Sequence, residues 1–167
     1  NSICLLMSGG SVLLHDGGYR DGLPSGEFGA YRADYFHNRI VARKNKRDAR
    51  QSLLDFIHNS GAYRRVRTQK IDFLTFKDVD ISRTRVTDEN LGYQWDRVVT
   101  YVKKENYFIV VDGIKILQSD YFTFTNLWHT RQVVSKGSHY YDTMIDSISG
   151  FVLPDNKQLL IYFPESY

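Results

Sequence analysis

Residues 93–103 read Y-Q-W-D-R-V-V-T-Y-V-K and residues 107–113 read Y-F-I-V-V-D-G. In an extended chain successive side chains point to opposite faces, so Tyr93, Trp95, Arg97, Val99 and Tyr101 share one face and Val98 and Val102 the other. Aromatic and β-branched residues fit that pleated surface, which predicts a strand. The second stretch is a continuous apolar run closed by Asp112-Gly113, which predicts a strand covered on both sides and ended by a turn.

The same bias extends through the chain. Val, Ile, Thr and the aromatics make up 57 of 167 residues, whereas Ala occurs five times. That composition disfavours a helical bundle and predicts a β-rich domain. With 42% hydrophobic and 25% charged residues, the chain can bury a sizeable core as one domain, 1–167.

Working outward from the opening pair, Ile71 to Phe76, Ser82 to Val86, Ile114 to Gln118, Asp120 to Leu127, Arg131 to Ser135, Tyr140 to Ile148 and Gln158 to Phe163 read as further strands. Upstream, Ile3 to Leu14 divides at Gly9-Gly10 into a hairpin, and Asn38 to Ala42 reads as a short strand. A glycine-rich polar loop fills Asp16 to Gly29. One helix is expected, over Asp48 to His58: Asp48 caps it, Ala49, Leu53, Phe56 and Ile57 share a face, and Asn59-Ser60-Gly61 stops it. Many short strands with one helix predict an antiparallel β-sandwich.

A single cysteine, Cys4, rules out a disulfide framework and a cysteine-based zinc ribbon. No stretch approaches the ~20 apolar residues of a membrane span, and no signal peptide is visible. The chain opens on Asn1 and enters an apolar segment within a few residues, so it reads as a piece of something longer.

Charge is uneven. Residues 1–83 carry +5 and residues 84–167 carry −2. Arg39, Arg43, Lys44, Lys46, Arg47 and Arg50 form a run that would concentrate anions. No RNA-recognition or zinc-finger signature accompanies it, which directs the expectation to polysaccharide rather than nucleic acid.

No G-x-S-x-G elbow, H-E-x-x-H helix or phosphate loop occurs. Five histidines remain. His58 suits a helix end, His15 a structural place and His139 the surface. Asp16 and His37 flank the glycine-rich loop, so folding of that loop would bring them together. One carboxylate and one imidazole make half a zinc site, since three protein ligands are usual.

The stretch S-G-G-S-V-L-L-H-D-G-G-Y-R (8–20), followed by G-A-Y-R-A-D-Y-F-H-N-R-I-V-A-R (29–43), resembles the heparinase II/III-like domain of polysaccharide lyases. In that family a strand carrying G-x-x-L-x-x-D-x-G-Y leads through a loop to H-N-T-V-V-V-D-G. Residues 10–19 match the first element and His37-Asn38-Arg39-Ile40-Val41 the second. The likeness continues through Arg97-Val98-Val99, the run from Tyr107 to Gly113, Leu127-Trp128-His129 and Leu159-Leu160-Ile161, and so covers nearly the whole chain. Two positions depart from the pattern. Arg39 stands where the family has Thr, and Ala42-Arg43 replaces its Asp-Gly turn.

The resemblance implies a bacterial, periplasmic or secreted enzyme of two parts, an upstream α/α toroid and a β-sandwich of the supersandwich type. It implies an acidic, uronic acid-containing polysaccharide such as a glycosaminoglycan as substrate, and the basic run offers Arg39 and Arg43 as expected contacts to it. It further implies a structural zinc with a His-Asp-His set, in which Asp16 matches the middle ligand and His37 the last. The first ligand belongs to an H-x-H-A-D segment upstream, so the site is expected to be incomplete in this chain. β-Elimination needs a neutralised C6 carboxylate, a base for the C5 proton and an acid for O4, usually Tyr. No catalytic residue is assignable here, and the chain alone is expected to be inactive. A noncatalytic carbohydrate-binding or scaffolding module, with Trp95, Trp128 and exposed tyrosines stacking on sugars, is the alternative.

Overall fold

The structure is a computed structural model, and it describes residues 3, 6–8, 11–16, 34–44, 66–130, 132–143 and 158–164. The expected helix over 48–58 and the glycine-rich loop beyond residue 16 lie outside the described residues. So do the end of the strand expected over 140–148 and the basic residues Lys46, Arg47 and Arg50.

The described chain is all-β, with several antiparallel sheets and a single 3-10 turn at Asp34–Phe36. Eleven strands appear in it: β1 (Leu6–Ser8), β2 (Ser11–Leu14), β3 (Ile40–Lys44), β4 (Arg67–Thr75), β5 (Val79–Asp88), β6 (Tyr93–Val102), β7 (Tyr107–Ile116), β8 (Phe122–Asn126), β9 (Val133–Lys136), β10 (Tyr140–Thr143) and β11 (Leu160–Tyr162). None of its helices is long and apolar enough to cross a membrane. The chain divides into two compact units. One holds 42–51 and 63–125 with Asn1, and the other holds 2–41, 52–62 and 126–167.

The first unit is built on the meander β4-β5-β6-β7. Register sets Trp95 opposite Val86 and Ile114, and Arg97 opposite Thr84 and Asp112, so the face read from the sequence of β6 is the face the sheet uses. Trp95 is fully buried, with Tyr93 and Val86 beside it. Tyr93 meets Phe122 and Phe124 of β8 edge-on at 6.4 and 5.6 Å. Gly92, with φ of 84°, makes the tight return from β5 to β6, and its carbonyl accepts the amides of Leu117 and Gln118.

Two expectations for β7 are corrected. Asp112-Gly113 does not turn the chain, because Asp112 pairs with Arg97 across the ladder and the strand runs on to Ile116. Nor is the apolar run covered on both sides: Tyr107, Phe108, Ile109 and Val111 are exposed, as are Phe73 and Leu74 of β4. Burial is concentrated at the other end of the sheet, where Asp88, Tyr93, Trp95 and Arg97 lie.

The second unit holds the hairpin β1-β2 and the sheet β11-β10-β9. Its buried side chains include Leu13, Leu14, Ile40, Val41, Asn38 and Thr143. The strand expected over 38–42 begins at Ile40 and runs through Ala42-Arg43 to Lys44.

Candidate metal centre at Asp16 and His37

Asn38 organises this part of the second unit. Its side chain is 0% exposed. Its amide nitrogen donates to the carbonyls of Ile3 (2.9 Å) and His15 (2.7 Å), and its Oδ1 accepts the backbone N–H of His129. The backbone adds two ties: the Ile3 amide donates to the Asn38 carbonyl (3.1 Å), and the His15 amide to the His129 carbonyl (2.9 Å). One side chain therefore satisfies three backbone groups from three separate segments.

This stitch fixes the neighbours of the residues it joins. With Asn38 bound to the His15 carbonyl, the next residue of one segment, Asp16, meets the preceding residue of the other, His37. Oδ2 of Asp16 lies 2.8 Å from Nδ1 of His37, and the two side chains are 13% and 16% exposed. The 3-10 turn Asp34–Phe36 delivers His37, whose amide donates back to the Asp34 carbonyl. The expected convergence across the loop is present in the structure.

The facing atoms are Nδ1 of His37 and Oδ2 of Asp16, so an ion bound by both would lie between them, in place of the proton they share. The pair thus offers a nitrogen and oxygens of the kind zinc takes. The donors fit in type and in convergence, and they do not complete a shell: among the described residues no group of three His, Cys, Asp or Glu gathers to hold a metal.

The two arginines expected at the substrate are placed differently. Arg39 is half-buried, with Nε donating to the Ile40 carbonyl (3.2 Å). Arg43 is buried, and its Nη1 donates to the Ala42 carbonyl (2.9 Å). Lys44, next in the basic run, pairs with Asp120 at 3.2 Å.

Two charge clusters not expected from the sequence occupy the four-stranded sheet of the first unit. Arg97, 2% exposed, forks onto Asp112 through Nε (2.8 Å) and Nη2 (2.9 Å), and Trp95 Nε1 donates to the same carboxylate at 2.7 Å. This corrects the stacking role considered for Trp95, since a buried ring that spends its N–H on Asp112 has no face for a sugar. On the opposite face of the sheet, Arg83 and Arg85 both bind Asp96. The hydrogen bond from Arg85, helped by that from Arg83, outweighs desolvation and lowers the Asp96 carboxyl to about 2. Register gives the signal that would have located these pairs, because Asp96 lies opposite Arg85 and Arg97 opposite Asp112.

No family model, curated protein or solved structure matches the chain.

Proposed function

We propose that this chain is the β-sandwich portion of a heparinase II/III-like polysaccharide lyase, which cleaves acidic, uronic acid-containing glycans by β-elimination. The observation that carries the reading is the 2.8 Å approach of Asp16 and His37, held in register by Asn38. These residues belong to the two sequence elements on which the resemblance rests, and their approach supports the reading. The sandwich is of the supersandwich type and works beside an upstream α/α toroid of the same polypeptide in a periplasmic or secreted enzyme.

In this reading zinc is structural, and the chain contributes His37 and Asp16 to it. The role of the pair is to tie together the two segments that carry them. Arg39, less buried than Arg43, is the cation this reading assigns to a polyanionic chain. The base and the acid for the C5 and O4 protons come from the toroid, so the isolated chain is inactive.

Two measurements test this. Metal analysis of a polypeptide carrying the upstream segment is expected to find one zinc, lost in Asp16→Ala and His37→Ala. Incubation of the isolated chain with heparin, heparan sulfate or alginate is expected to give no unsaturated product by ultraviolet absorbance. Turnover by the isolated chain, or zinc that persists in both variants, overturns the proposal.

A further inference from the structure

We infer that β7 is a homodimerisation edge: the strand pairs antiparallel with β7 of a second copy of this chain, about a two-fold axis at Val110. The site lies within the first unit, and the inference does not rest on the lyase reading.

An open strand edge offers a row of amides and carbonyls that another strand can satisfy, and proteins protect the edges they keep open with charges and bulges. The two edges of the β4-β5-β6-β7 sheet differ in this respect. β4 carries Arg67, Lys70 and Asp72, and its register shifts between Lys70 and Asp72. β7 has neither protection. It stays in register with β6 from Tyr107 to Ile116, and among the described residues it has no other strand neighbour. Its two charged residues are Asp112, which Arg97 and Trp95 already hold, and Lys115 near one end. The rest of the strand is apolar apart from Gly113, with Tyr107, Ile109 and Val111 on one face and 47%, 46% and 56% exposed. Leaving such surface in water forgoes burial worth about 25 cal/mol per Å². A strand of this composition, with no proline and no bulge, is the kind that pairs edge to edge.

The sequence of β7 complements itself, and this selects a second copy as the occupant. Directly opposite residues of an antiparallel pair point to the same face, so the axis of a symmetric pair falls at one residue, which lies opposite its own copy. With the axis at Val110, Ile109 lies opposite Val111, and both are exposed. Tyr107 lies opposite Gly113, which has open space at its Cβ for the ring to cover. Glu105, in the turn before β7, lies opposite Lys115, and the two-fold makes this pair twice; both residues are exposed. Phe108 lies opposite Asp112, whose carboxylate is already spent on Arg97 and Trp95.

Neighbouring registers lose this match. An axis at Ile109 sets Lys103 opposite Lys115, and an axis at Asp112 sets the two Asp112 carboxylates against each other. An axis at Val111 leaves Lys115 opposite Tyr107 and Glu105 opposite Leu117. Of the four, the Val110 register alone makes opposite charges meet without also making like charges meet, and like charges directly opposite are destabilising.

The test is sedimentation equilibrium of the full chain across micromolar concentrations, where a concentration-dependent dimer is expected. Ile109→Lys and Val111→Lys each place a charge beside the axis and are expected to weaken the dimer tenfold or more. Both side chains are exposed, so the fold is expected to persist, checked by fluorescence of the buried Trp95. Lys115→Glu and Glu105→Lys are each expected to weaken the dimer, and the double variant to restore it. In a Cys4→Ser background, Val110→Cys is expected to give a disulfide-linked dimer on oxidation. Ile116→Cys, which would lie opposite Lys104, is expected to give none. A chain that stays monomeric overturns the inference, including one whose β7 amides resist hydrogen exchange because another segment covers the edge. A polydisperse aggregate, a dimer that survives both lysine variants, or a dimer in which charge exchange gives no rescue and Ile116→Cys crosslinks as well as Val110→Cys overturns it too. None of these outcomes bears on zinc at Asp16 and His37, so the two proposals fail separately.

Discussion

Replacing Asn38 probes the stitch that creates the candidate centre. Asn38→Ala removes three hydrogen bonds to backbone groups of Ile3, His15 and His129. At about 1 kcal/mol net for each, the loss is about 3 kcal/mol, or roughly a hundredfold in the folding equilibrium. With a urea slope of about 1–2 kcal/mol/M, the midpoint of the second unit falls by about 2 M. Asn38→Asp is the sharper variant. It preserves shape and the acceptor for the His129 amide, yet it faces the Ile3 and His15 carbonyls with oxygen where two donors stood. It is therefore expected to cost more than alanine at neutral pH. Burial raises the pKa of the introduced carboxyl, so protonation as the pH falls towards 5 returns one donor and recovers part of the loss, whereas Asn38→Ala stays flat. The assay is urea unfolding followed by Trp128 in a Trp95→Phe background, which leaves the reporter in the second unit alone. An Asn38→Asp variant as stable as wild type, or more stable than Asn38→Ala at neutral pH, would refute the reasoning.

Four further outcomes follow from the first unit. Asp112→Ala strands the buried Arg97 guanidinium and takes an acceptor from Trp95, so a loss of about 3–5 kcal/mol is expected, read from Trp95 in a Trp128→Phe background. The Asp96 carboxyl is lowered to about 2, below its unfolded value of about 3.9, so its stabilisation is complete above about pH 4 and disappears as the pH falls from about 4 to about 2. After discounting for solvent screening at the half-exposed Arg83 this amounts to about 1 kcal/mol, and the stability gap between wild type and Asp96→Asn should close over that pH interval. Gly92→Ala is expected to destabilise by at least about 1 kcal/mol, because φ is 84° and the new Cβ would lie 2.7 Å from Cβ of Gln118. Gly113→Ala, with open space at its Cβ, should be neutral or slightly stabilising in the same denaturation experiment.

The sequence by itself determined the β-class, the faces of β6 and the pairing of β1 with β2, because alternation and β-branched content are local properties of the chain. The face read for Tyr93, Trp95 and Arg97 is the one that carries the buried residues of β6. It also brought out Asp16 and His37, since a polar pair at two strand ends stands out against apolar neighbours. Only tertiary structure decided how these residues meet. The partners of Asn38 are 35, 23 and 91 residues away, and no local pattern encodes a hydrogen bond of that span. The same holds for β7. Asp112-Gly113 has turn composition, and its local preference yields because Arg97, 15 residues back, needs a buried counter-charge at that rung. Propensity assigns each segment its conformation one residue at a time, whereas a buried donor, acceptor or charge must be satisfied by whatever the fold brings near, and that constraint fixed both the Asp16–His37 approach and the path of β7.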